Sequence, residues 1–88
     1  MCDAKMKSEI IKNIKEYNNT NVWEHQGNIY IDTLKVSKPF RAIAQAFNLD
    51  LVELHIETKE ACLFGCDASD LEFGGRKTIC HVYMIHKV

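Results

Sequence analysis

The chain has 88 residues, 47% of them hydrophobic and 26% charged, with one proline and four glycines. That is the composition of one ordinary globular domain, and it excludes a disordered or fibrous chain. Eleven basic residues against twelve acidic ones leave a formal charge of −1, which excludes a strongly cationic nucleic-acid binder and an acidic mimic of DNA alike.

In the first segment Met6, Ile10, Ile14 and Tyr17 recur at helical spacing, widened by Ile11, while Lys7, Lys12, Lys15 and Glu16 take the other side. This spacing predicts an amphipathic helix over about Lys5 to Tyr17, ended by Asn18, Asn19 and Thr20. Val22 to His25, a Gln26-Gly27 turn and Asn28 to Asp32 then read as a β-hairpin, with Ile29 and Ile31 on one side and Tyr30 on the other. Ser37 and Pro39 mark the start of a second helix over Lys38 to Phe47, with Phe40, Ile43, Ala44 and Phe47 as its apolar stripe and Asn48 as its left-handed stop.

After Asp50 the period changes from helical to two. Val52, Leu54 and Ile56 alternate with Glu53, His55 and Glu57, so Leu51 to Thr58 is expected as a strand with the charged set facing solvent. Ala61 to Gly65 reads as a returning strand, and Asp67 as the cap of a short turn through Leu71, Glu72 and Phe73 that ends at Gly74-Gly75. Lys77 to His86 reads as a last strand, apolar on both faces and therefore central in its sheet. The expected fold is one α+β domain spanning residues 1–88, of order α-β-β-α-β-β-β, with a mostly antiparallel sheet and two helices packed on one face.

No apolar run approaches the roughly 18 residues of a membrane span, and Met1 to Lys15 lacks a signal-peptide core. A cytoplasmic chain is therefore expected, without membrane attachment, and Cys2, Cys62, Cys66 and Cys80 are read as reduced thiols. Cys62, Cys66 and Cys80 have the size and polarity of small core residues. Their rival role is a zinc site with His81, but Cys80 and His81 are adjacent and on a strand point to opposite faces.

Ile43 to Asp50 resembles the first helix and turn of a helix-turn-helix, with Ala44 as the small contact residue, Asn48 in the turn and Leu54 as a later core position. The resemblance implies DNA reading by the next segment. That segment alternates with period two and carries Glu53, Glu57 and Glu60 against Lys59, which would repel phosphate. Nucleic-acid binding is the alternative expectation, through Lys35, Lys38, Arg41, Arg76 and Lys77 should the two basic segments meet.

Two carboxylates flanking an imidazole in Glu53, His55 and Glu57 could move protons or hold a cation, but a flat sheet surface supplies little of the burial that shifts pKa values. Asp67, Ser69, Asp70 and Glu72 lack the spacing of a calcium loop, and Gly74 to Lys77 lacks the strand–loop–helix order of a phosphate cradle. A small metal- or thiol-dependent enzyme is the third expectation, and no cofactor is expected. The leading one is a non-enzymatic module that binds another protein, or a second copy of itself, through an uncovered sheet face or edge bearing Trp23, Tyr30, Glu53, His55 and Tyr83. A subunit, adaptor or inhibitor of a larger assembly fits that description, as do many small chains of phages and mobile elements.

Overall fold

The computed structural model describes residues 3–65 and 79–87. The first helix, α1 (Asp3–Lys15), leads into a hairpin of β1 (Thr20–His25) and β2 (Asn28–Thr33). Then come α2 (Lys38–Ala46), β3 (Leu49–Glu57), a 3-10 segment (Thr58–Phe64) and β4 (Ile79–Lys87). The strands form one antiparallel sheet in the order β1-β2-β4-β3. The last strand is central, as a strand apolar on both faces must be.

Local chemistry accounts for the joints. Gln26 and Gly27 both have positive φ, 51° and 84°, the pairing that a two-residue type I′ hairpin turn requires. Asn19 at φ 56° and Asn48 at φ 59° take the left-handed conformation that follows each helix. Ser37 occupies the position before α2, and its carbonyl accepts the Arg41 N–H at 2.8 Å. Its hydroxyl makes no capping bond, contrary to the expected serine cap, because Ser37 itself is already in helical backbone.

Both helices pack on one face of the sheet. Ile10 and Ile14 of α1 and Phe40 and Ala44 of α2 are buried against Ile29 and Ile31 of β2, Leu51 of β3 and Ile85 of β4. Met6, Ile11, Tyr17, Ile43 and Phe47 close the margins of this cluster, so both helical stripes lie where their spacing places them. A second cluster lies on the opposite face. Tyr30, Ile56 and Val82 are buried there, with Trp23, Leu54, Phe64 and Met84 packed around them.

Three sequence expectations need correction. Ala61 to Gly65 is not a returning strand: Thr58 to Phe64 is a 3-10 segment. The short apolar run that reads as a strand serves instead to set Phe64 on the second cluster. The face opposite the helices is consequently not bare. The flanks of β3 are also reversed. Glu53 pairs in register with Tyr83, and Tyr83 with Ile31, whose side chain is in the helix-covered core. Glu53, His55 and Glu57 thus project on the helix side, and Leu54 and Ile56 turn to the far cluster. The strand expected from the period-two alternation after Asp50 is present as Leu49 to Glu57, so the helix-turn-helix resemblance ends at Asn48.

Phe40 has no exposed surface and touches both helices' cluster, with Tyr17 edge-on at 5.2 Å between ring centroids. Truncation leaves a cavity that a core of this size cannot fill. Phe40→Ala is expected to lower unfolding stability by about 3–5 kcal/mol, measured as the urea midpoint with the slope unchanged.

Candidate functional site

The five residues expected to share a recognition face are divided by the sheet. Trp23 and Tyr30 are register partners, and Tyr30 pairs with Met84, so these three side chains lie on the face opposite the helices. Glu53 and His55 lie on the other face with Tyr83. Tyr30 is only 5% exposed and is buried by its neighbours. Trp23 stacks on it at 5.7 Å, and Phe64 meets it edge-on at 5.8 Å. The Trp23 indole N–H donates to the Phe64 carbonyl at 2.7 Å. Trp23 and Tyr30 therefore anchor the 3-10 segment to the sheet, a demanding use of both the ring faces and the indole donor. Gly65 follows with φ 85°, and a Cβ there would come within 2.7 Å of His25 Nδ1; glycine is what lets the chain pass this point.

On the helix side, His55 Nε2 lies 3.1 Å from a Glu53 carboxylate oxygen, both well exposed. The Tyr83 hydroxyl donates to Glu53, and its pKa is raised, first by burial and then by the adjacent Glu53 charge and this bond, against a lowering influence from Arg41. Arg41 reaches from α2 to donate to the Leu51 carbonyl at 3.2 Å, and the Asp50 carboxylate accepts from the Leu51 N–H at 2.9 Å. These two side chains occupy main-chain groups of β3, whose other neighbour is β4 alone. Together with Glu53 and Glu57 they make this outer strand a poor template for pairing with another chain.

Of the zinc and thiol candidates Cys62, Cys66, Cys80 and His81, Cys62 alone has its side chain among the described residues. Among the described residues, no group of three or more His, Cys, Asp or Glu side chains is placed to hold a metal ion. Cys62 is a free, exposed thiol and not the core residue its apolar neighbours suggest. Cys80 and His81 fall on β4 opposite Ile56 and His55, and their side chains lie outside the described set. Cys2, Cys66, the Asp67 to Gly75 turn, Arg76 and Lys77 lie outside the described residues. Lys35, Lys38 and Arg41 are exposed. Among the described residues, no helix is long and apolar enough to cross a membrane.

The surface that stands out was not anticipated from the sequence. Leu34 and Val36, in the connection between β2 and α2, are 57% and 73% exposed. The backbone at Leu34 and Lys35 is tied down on one side. Leu34 N–H donates to the Asn19 carbonyl at 3.3 Å, and Lys35 N–H to the Thr33 hydroxyl at 3.0 Å. That hydroxyl in turn donates to the Asn19 carbonyl at 3.0 Å and lies 3.0 Å from the Thr20 hydroxyl. The turn after α1 thus braces the loop after β2. Leu63, in the 3-10 segment, is the other large apolar side chain left in solvent among the described residues, at 67%. The signal for the loop was present in the sequence as two apolar residues lying between a buried strand and a helix start, outside the periodicity of both.

No protein-family model, curated protein or solved structure matches the chain.

The Tyr83 shift has a direction that can be tested. A phenol whose folded pKa is raised stabilises the fold fully below its ordinary value of 10.0, and the contribution disappears as pH rises through the folded value. The wild-type chain is expected to lose stability as pH passes above 10.0. Urea titrations on either side of that pH should show a smaller loss for Tyr83→Phe, which has no proton to release.

Proposed function

We propose that this chain is a non-enzymatic protein-binding module and that its contact surface is the loop from Leu34 to Val36. The observation that carries this reading is the combination of exposed apolar side chains with a braced backbone. Two large hydrophobic residues held in water cost free energy in the isolated chain, and a partner that covers them recovers it. Flexible loops lose that gain to ordering entropy, whereas Leu34 and Lys35 already have their N–H groups bonded.

The loop is a better candidate than the sheet. Tyr30 is occupied by the 3-10 segment, Trp23 has given its donor to Phe64, and the outer edge of β3 is guarded by Arg41, Asp50 and the two glutamates. Trp23 retains partial exposure at the rim of the far cluster and could widen a contact, but it is already committed to packing.

The experiment is a matched capture from cells that express the chain naturally, using the wild-type chain and a Leu34→Ser/Val36→Ser double variant as baits. Both side chains are exposed, so circular dichroism and the urea midpoint should agree between the two baits within about 0.5 kcal/mol. At least one protein is expected on the wild-type bait alone. Identical sets on both baits would contradict the assignment of the loop.

A further inference from the structure

We infer that the surface this loop fits is an apolar patch rimmed by carboxylates on another protein. The inference rests on the protein-binding reading above and specifies the chemistry of the partner. Lys35 stands between Leu34 and Val36, Lys38 opens α2, and Arg41 follows at the next turn. All three are exposed. From Thr33 to Leu49 these are the charged side chains of the segment, and none is acidic. Among the described residues no carboxylate pairs with Lys35 or Lys38. The acid nearest in sequence, Asp32, is fully buried on β2 in register with Val82. The next ones along the chain, Asp50 and Glu53, lie on β3 and are bonded to Leu51 and Tyr83.

The apolar tips decide between kinds of anionic target. A phosphate backbone would satisfy the two lysines, Arg41 being already bonded to the Leu51 carbonyl, but would leave Leu34 and Val36 in water or against charge. An apolar patch with a carboxylate rim satisfies both groups at once, in the arrangement of hydrophobic centre and charged rim typical of protein interfaces. The charge of the whole chain points the same way. At −1 overall, the chain offers no long-range attraction to an extended polyanion, and the cations act within about 10 Å at ordinary ionic strength. A rim carboxylate meets them at that range.

The test uses a displayed library of random 16-residue peptides selected against the full chain. Selected sequences are expected to carry an apolar pair or triplet flanked by Asp or Glu. Synthetic copies should bind the Leu34→Ser/Val36→Ser variant more than tenfold more weakly. They should bind a Lys35→Ala/Lys38→Ala variant about fivefold more weakly at low salt, the size expected for two exposed ion pairs, with the difference shrinking at high salt. Loop-dependent peptides without acidic flanks, indifferent to the lysine substitutions, would overturn the carboxylate rim and leave the loop assignment standing. An absence of loop-dependent peptides would overturn both. Binding of a mixed-sequence oligonucleotide or of phosphatidylserine vesicles that is lost in the lysine variant and kept in the Leu34→Ser/Val36→Ser variant would also overturn the proposal, assigning the cations to phosphate.

Discussion

The structure depends on β4 being apolar on both faces. Val82 and Ile85 are fully or almost fully buried on opposite sides of the sheet, and β4 is hydrogen-bonded to β2 on one flank and β3 on the other. A single strand thereby seeds two clusters: Ile85 under the helices, Val82 on the far face with Tyr30 and Ile56. In a chain of 88 residues, neither face could be left to water without losing a large part of the core. The helices cover one face. On the other, Phe64 of the 3-10 segment packs on Tyr30 and Trp23, and the indole donor fixes its carbonyl. This second layer buries Tyr30 and leaves Trp23 half-buried at its rim.

With both faces used, the apolar residues that stay in solvent carry more meaning. Leu34 and Val36 lie where β2 leaves the sheet, just beyond Thr33, which is still buried. The Thr20, Thr33 and Asn19 hydrogen bonds stitch this exit to the turn after α1. Since α1 is itself locked to the core by Ile10 and Ile14, the brace transmits the rigidity of the helix to the loop. Thr33 is the pivotal side chain, contacting Asn19, Thr20 and Lys35 through one hydroxyl oxygen. The three cations that follow sit on the same stretch and on the first turns of α2.

Much of this architecture was legible in the residues. The stripes of α1 and α2, the Gln26-Gly27 turn, the left-handed asparagines and the central place of β4 each follow from spacing or from a backbone need that few residue types meet. The orientation of β3 was not legible. Alternation distinguishes the two flanks of a strand, but which flank meets the helices depends on register with β4, a contact between distant parts of the chain. Leu49 and Leu51 meet the helix side and Val52, Leu54 and Ile56 the other, so each flank is apolar over part of its length. Ala61 to Phe64 illustrates a second limit: a four-residue apolar run has too few positions to separate strand from tight helical turns. Of the expected recognition residues, Trp23 and Tyr30 were correctly paired with each other and wrongly joined to Glu53, His55 and Tyr83, for the same reason of unknown register.

The claim on which the functional account turns is that the exposed tips of Leu34 and Val36 are presented by a loop whose backbone at Leu34 and Lys35 is held still before any partner arrives. Backbone ¹⁵N relaxation of the free chain tests it directly. The account predicts order parameters at Leu34 and Lys35 near the rigid value of about 0.85 found in strands, whereas values below about 0.6 would show a mobile loop and contradict it.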